Sequence, residues 1–168
     1  MPNVELEPAG PERREMLANL IQLYTHDFSD YWIGLPQGEL GEDGRFEPYP
    51  LDSYWAEPDR EAMLIRADGK LAGFALVNTF AHSGLPTDFS MAEFFVARKY
   101  RRLGIGQAAA VDIIRARPGQ WDIAVTRKND PAKPFWRWVA AATAVGEVEE
   151  RDHNDDLWNG LILRFRSA

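Results

Sequence analysis

The sequence contains no cysteine. Disulfides, a thiolate nucleophile and cysteine-ligated metal are therefore excluded, and the chain suits a reducing compartment. No apolar run approaches the roughly 20 residues needed to cross a bilayer. The opening residues, MPNVELEPAGPERR, lack the apolar stretch of a secretory signal. These absences lead to the expectation of a soluble protein of the cytoplasm with no membrane partner. Basic residues are in deficit: 19 Lys and Arg against 26 Asp and Glu leave a net charge of −7. Such a chain repels the phosphates of nucleic acid unless its positive charge is strongly segregated, so no nucleic-acid partner is expected. Histidine is scarce and scattered. His26, His82 and His153 have neither metal-ligand spacing nor a triad pattern, and no metal is expected.

What is present is a globular composition rich in aromatics, 45% hydrophobic with six Trp, five Tyr and nine Phe. A length of 168 residues fits one compact domain over residues 1–168. Val4 to Ala9 alternates as a short strand does. Pro11 opens a periodic run from Glu12 to about Tyr31, in which Met16, Leu17, Leu20, Leu23 and Tyr24 read as one helical face. Glycines and prolines between Ile33 and Pro50 predict a long loop. Ala62 to Ala67, the turn Asp68-Gly69 and Lys70 to Phe80 predict a hairpin, and Met91 to Ala97 a third strand beside it. A helix over Gly106 to Arg117 follows, ended by Pro118-Gly119, then a strand over Trp121 to Thr126. Asp130 as N-cap and Pro131 at the first helical position predict another helix, stopped by Gly146. GEVEERD and LWNGLILRFR read as two last strands joined at His153 to Asp156. This order predicts an α/β (α+β) fold: a mixed, mostly antiparallel central sheet of about seven strands flanked by helices.

Against the acidic background, Arg98, Lys99, Arg101 and Arg102 form the one dense basic cluster. It lies within FFVARKYRRLGIGQAAA, Phe94 to Ala110, an apolar strand that turns basic, then glycine-spaced, then alanine-rich. Glycines where a strand meets a helix let backbone N–H groups approach a pyrophosphate. The positive end of the helix dipole and the arginines favour its charge. A plain strand-to-helix turn with a solvated basic rim fits the same residues. GIGQAA also satisfies the dinucleotide fingerprint, so a dinucleotide-dependent oxidoreductase is an alternative. Context opposes it: the preceding strand belongs to an antiparallel meander, and Asp122, the nearest acid at the right distance, starts its strand rather than ending it.

EFFVARKYRRLGIG and the alanine-rich helix after it resemble the acetyl-CoA signature of the GCN5-related N-acetyltransferase (GNAT) family. A second feature, Asn129-x-x-Ala132-x-x-Phe135-Trp136, stands where that family has its own, and the element order agrees. The resemblance implies acetyl-CoA as co-substrate. Its pyrophosphate would rest on backbone N–H groups of Arg102, Leu103, Gly104, Ile105, Gly106 and Gln107, beside Arg101. The pantetheine arm would lie along Phe94, Phe95 and Val96, where that strand splays from the next, with Asn129 bonded to the same arm. The implied reaction is acetyl transfer to a primary amine of a small molecule or peptide, by direct attack in a ternary complex. Dimers are common in the family, which leaves a homodimer open. A non-catalytic acyl-CoA-binding or sensory module is the alternative within the same fold.

Direct transfer needs a neutral amine, although such amines have an unperturbed pKa of about 10. Glu93 sits in an otherwise apolar strand, where desolvation would raise its carboxyl toward the working pH and suit it as the base. The family often carries a catalytic glutamate there. A glutamate at a wet strand end, or paired with arginine, fits the sequence equally. The tyrosine that the family uses as general acid is replaced by Trp136, whose indole N–H does not ionise near neutrality. Tyr100 or solvent is left to reprotonate the thiolate. Trp136 and Trp138 otherwise read as core aromatics. For the acceptor, Asp27, Tyr31, Trp32 and Tyr54 set acids beside rings, which suits a cationic amine; the same residues also suit pinning a long loop to the core.

Overall fold

The computed structural model describes residues 1–168. Its elements in chain order are β1 (Val4–Pro8), α1 (Arg14–Phe28), α2 (Ser53–Ala56), β2 (Glu61–Ala67), β3 (Lys70–Asn78), β4 (Phe89–Val96), α3 (Ile105–Arg115), β5 (Gly119–Thr126), α4 (Ala132–Thr143), β6 (Glu149–Asn154) and β7 (Asn159–Ser167). The strands form one seven-stranded sheet in the order β1-β2-β3-β4-β5-β7-β6. Every neighbouring pair is antiparallel except β4 and β5. The expected mixed, mostly antiparallel sheet is therefore present.

Strand alternation gives the sheet two apolar faces, and each is covered by helices. On one face Leu17, Leu20 and Ile21 of α1 pack against Leu64, Phe74, Leu76 and Phe95. On the other, α3 and α4 bring Ala110, Ile113, Ile114, Val139 and Ala140 against Val77, Ile123 and Leu163. The buried stripe of α1 differs from the expected one. Leu23 is 55% exposed, because at 100° per residue it lies about 120° round from Leu17, whereas Ile21 lies about 40° away and is buried. On α4 the same geometry buries Trp136 and leaves Trp138 at 49% exposure, so only the first is a core aromatic.

Turn chemistry fixes the hairpin of β2 and β3. Asp68 and Gly69 have φ of 49° and 75°, the left-handed pair that matches sheet twist. Three boundaries move from their expected places. Asp130 does not cap α4: the helix begins at Ala132 without a side-chain cap, and the Asp130 carboxylate instead accepts from Lys133 Nζ at 2.7 Å. The helix ends at Thr143, ahead of Gly146, because Ala144 turns extended and bridges to Ser167. β6 runs on to Asn154, and the turn is closed by Asp155, whose carboxylate accepts the N–H groups of Leu157 and Trp158 at 2.9 Å each.

The parallel contact between β4 and β5 lasts for two residue pairs, Phe89 with Trp121 and Ser90 with Asp122. The strand ahead of the glycine turn thus belongs both to the antiparallel meander and to a parallel crossover through α3. A polar cluster ties the strands where they still touch. Ser90 Oγ donates to the Asp122 carbonyl at 3.3 Å, and the Asp122 side chain, 1% exposed, binds Arg164 and accepts from Ser83 Oγ at 2.5 Å. Arg164 also donates to Thr87 Oγ1 at 2.9 Å and the Pro86 carbonyl at 2.9 Å. Replacing Asp122 by Ala takes the only carboxylate from a largely buried guanidinium that then keeps neutral partners alone, and breaking a buried pair in this way costs about 3–5 kcal/mol. Urea unfolding of Asp122→Ala is expected to register a loss of that order; a loss under about 1 kcal/mol would show that the cluster does not hold the strands together.

Candidate active site

Beyond Ser90 the two strands diverge, and a cleft of about 1440 Å³ opens between them. Its walls are Met91 to Val96 of β4 and Ile123 to Thr126 of β5. β5 keeps its other neighbour, β7, along its whole length, whereas the β4 edge facing the cleft has no strand partner from Met91 onward. Backbone groups on such an edge are free to bond a ligand.

At one end of the cleft lies the turn from β4 into α3. Arg102 and Gly104 both adopt left-handed backbone, φ 62° and 79°, conformations that are costly for arginine and natural for glycine. The first helical bond of α3 runs from the Ala108 N–H to the Gly104 carbonyl at 3.0 Å. Ahead of it, the N–H groups from Arg102 to Gln107 have no partner in the turn, and the start of a helix adds its positive dipole end. A Cβ on Gly106 would lie 3.3 Å from the Phe135 ring, so a larger residue there would crowd the contact of α3 with α4. Gly104, Gly106, Gln107, Arg101 and Arg102 all line the cleft; Leu103 is half exposed and Ile105 fully buried, so these two offer backbone only.

The arginines of the turn have separate tasks. Arg101 Nε donates to the Val96 carbonyl at 2.7 Å, its guanidinium stacks on Phe95 with 5.6 Å to the ring centroid, and it pairs with Asp27. Arg98 reaches the same Asp27 carboxylate at 2.8 Å. Partial burial pushes the Asp27 carboxyl up, but the hydrogen bonds and charges of Arg101 and Arg98 outweigh it and hold the group below its usual range. Asp27 is thus neutralised by two arginines rather than offered to a free cation. It pins the end of α1 to the turn.

Tyr31, just after α1, reaches across the cleft and donates to Asn129 Oδ1 at 2.9 Å. That contact fixes the amide so that its Nδ2 donors stay available. Beneath it, Phe94, Phe135 and Trp136 form an aromatic cluster with centroid separations of 4.8 to 5.9 Å. Trp32 lies outside the cleft, packed on Phe28 and Gly38, and Tyr54 is buried behind Tyr49, so neither reaches the cleft wall as the acceptor reading expected. Tyr100 packs beside Ile65, Ile105 and Ala109, away from the cleft, and cannot serve as the acid there.

Glu93 owes its position to a β-bulge. On β4, Glu93 pairs with Leu76 and Met91 with Val77, so Ala92 is the extra residue. Met91 faces the α3–α4 core, while Ala92 and Glu93 both turn to the α1 face. There Glu93 Oε2 accepts from Tyr24 Oη at 2.6 Å, and the Tyr49 hydroxyl lies close enough to favour the charged carboxylate as well. Burial pushes the Glu93 carboxyl up, and the two phenols offset this only in part. Burial also raises the phenols of Tyr24 and Tyr49, with the Glu93 charge adding to it, so both remain donors. Behind them Tyr54 neighbours Tyr49, and Asn78 Nδ2 donates to the Tyr54 hydroxyl at 3.4 Å.

One cleft residue has no signal in sequence spacing. His82, in the β3–β4 loop, packs tilted against Trp158 with 4.4 Å between centroids and sets Nδ1 at 3.2 Å from the Leu157 carbonyl. A carbonyl only accepts, so Nδ1 carries the proton and Nε2 is the acceptor of the neutral ring. His82 and Trp158 line the cleft near Glu93, joining two loops far apart in the chain.

This architecture has many counterparts among known proteins. An acetyltransferase from Thermus thermophilus matches over the full length of both chains with a TM-score of 0.63 and 17% identity. A GNAT-family acetyltransferase from Staphylococcus aureus matches with a TM-score of 0.60 and 11% identity, covering 98% of this chain and 99% of that one. A spermidine N-acetyltransferase variant from Vibrio cholerae gives 0.60 at 9% identity, covering 97% and 92%. At these identities the likeness is one of fold. Among curated sequences, a 2-dehydropantoate 2-reductase from Caulobacter vibrioides is 29% identical over 97 residues, or 58% of this chain. The chain spans 31% of the length of that relative. The Acetyltransferase (GNAT) family matches residues 17–139, the stretch that carries the bulged strand, the glycine turn and most of α1 and α4. The chain belongs to the GNAT acetyltransferase family.

Proposed function

We propose that the protein is an acetyl-CoA-dependent N-acetyltransferase of the cytoplasm, acting on a primary amine of a small molecule or peptide. The observation that carries this reading is the pairing of a cradle of N–H groups without backbone partners at the start of α3 with a half-dry carboxylate, Glu93, on the adjoining strand. The cradle from Arg102 to Gln107 suits a pyrophosphate, and the free edge of Phe94, Phe95 and Val96 suits the amide-bearing arm behind it. Asn129 Nδ2 donates to the same arm while Tyr31 holds its Oδ1. Bound acetyl-CoA supplies the acyl thioester. Glu93 takes the proton that the attacking ammonium must lose, directly or through one water. As the new C–N bond forms and the C–S bond breaks, Trp136 has no proton to give, so water at the cleft mouth protonates the departing sulfur.

Trp136 also favours a second reading, an acyl-CoA-binding module without efficient chemistry. Glu93→Gln separates the two. It is expected to lower kcat/KM by about 10²–10⁴-fold while coenzyme A affinity holds. Equal activity in wild type and variant would discard Glu93 as the base, and no thiol release from wild type with any amine would favour the module.

The raised carboxyl has a definite sign. The active form is the carboxylate, so kcat/KM rises with pH through a limb above the ordinary glutamate range of about 4.3. Stability runs the other way: between that range and the raised value the folded protein holds a proton that the unfolded chain has released, so stability falls as pH rises. Glu93→Gln is expected to remove both the activity limb and this stability slope, read by pH–rate profiles and by denaturant midpoints across pH 4–8.

Tyr31→Phe removes one hydrogen bond and frees the Asn129 amide. Its expected effect is a rise in KM for acetyl-CoA of about two- to tenfold with little change in kcat. An unchanged KM would show that Asn129 does not need this partner.

A further inference from the structure

Against Glu93, on the side away from the glycine turn, the cleft continues into a small pocket of about 280 Å³. Tyr49, Phe80, His82 and Trp158 wall it, and Asn78 and Ser90 lie at its floor. Its only charged residues are Glu93 and Arg60. Glu93 is the base under the reading above, so one end of this pocket receives the amine. Arg60 is then the single cation facing whatever else the acceptor carries.

The guanidinium of Arg60 is held ready. Its carbon lies 5.5 Å from the centroid of the Tyr54 ring, and its Nε donates to Glu57 Oε2 at 2.6 Å. One of five N–H donors is engaged by that carboxylate, and the terminal fork suits a second one, bidentate. The two polar groups at the floor are already occupied. Asn78 donates to Tyr54 and accepts the Phe80 N–H at 3.1 Å, while the Ser90 hydroxyl donates to the Asp122 carbonyl. Arg60 shares its charge with Glu57 but keeps its terminal donors to spare, and Asp27, the acid expected to attract a polycation, is bound by two arginines. The volume is about nine waters at ~30 Å³ each, the scale of one amino acid.

We propose that the acceptor is an amino-acid-like amine whose carboxylate is received by Arg60 while its amino group meets Glu93. This rests on the transferase reading, and the test separates the two. Thiol release from acetyl-CoA is measured with each of the twenty amino acids, with the matching carboxamides, and with putrescine and spermidine. Calorimetry of the same compounds runs alongside. Wild type is expected to favour at least one carboxylate over its carboxamide by about tenfold or more in kcat/KM, the scale of a charge-assisted hydrogen bond. Arg60→Gln should erase that preference mainly through KM, and Arg60→Lys should restore part of it, with melting temperature confirming that both variants fold. Carboxamides or polyamines accepted as well as the carboxylates, or a preference that survives Arg60→Gln, would overturn the anion site while leaving the transferase intact. Arg60-dependent carboxylate binding without thiol release would uphold the anion site and overturn the transferase. Binding of no carboxylate at millimolar concentration would overturn the proposal.

Discussion

After Ser90 the two central strands exchange no backbone hydrogen bonds, and the cleft between them depends on that loss. A sheet interior does not ordinarily leave N–H and C=O groups without partners, because each one buried without a bond is costly. In this protein the loss has local causes. The bulge at Ala92 shifts the register of β4 against β3, and β5 is held to β7 along its whole length. Asp122 and Arg164 clamp the strands at the last point of contact. The clamp and the bulge lie on either side of the fork, so the opening is built into the fold.

The same bulge decides what faces the opening. With strict alternation Glu93 would share the face of Met91 and enter the apolar core under α3 and α4. The inserted residue turns it to the α1 side, among tyrosines. Farther along β4, alternation resumes, so Phe95 packs toward α1 and Phe94 and Val96 toward α3 and α4. One extra residue therefore places a carboxylate at the side of the cleft without removing any large apolar group from either core.

The glycine turn is legible in the sequence because its requirements are local. A left-handed glycine, a helix start and a cluster of arginines all fall within Arg98 to Gly106, and the fold class follows from the order of periodic segments. The parts that are not legible involve partners remote in sequence. Tyr24 meets Glu93 across 69 positions and Tyr31 meets Asn129 across 98. A register shift between strands leaves no trace in hydrophobic alternation, so the face of Glu93 cannot be read from MAEFFVA. Asp27 reads in the sequence as an acid waiting for a cation, yet its partners are arginines of this chain, 71 and 74 positions away. Counting charges in a segment says nothing of which are already paired. His82 escapes a reading by spacing because its role depends on a backbone carbonyl 75 positions on.

Burial and hydrogen bonding pull on Glu93 in opposite directions, and the balance is what makes a working base under the proposed function. A dry carboxyl with no donors would keep its proton through neutral pH and accept nothing. One with strong cationic partners would ionise in acid and be too weak to take a proton from an ammonium. The tyrosines lie between these limits: they donate to the carboxylate without bringing charge, and their own burial prevents them from ionising in its place. No buried side-chain nitrogen or oxygen in the structure lacks a partner, so this network is closed rather than strained. The absence of a tyrosine at Trp136 is consistent with that arrangement. Two tyrosines, Tyr24 and Tyr49, are gathered at Glu93, where under the proposed function they tune the base, and an aromatic wall that gives up no proton stands farther along the cleft.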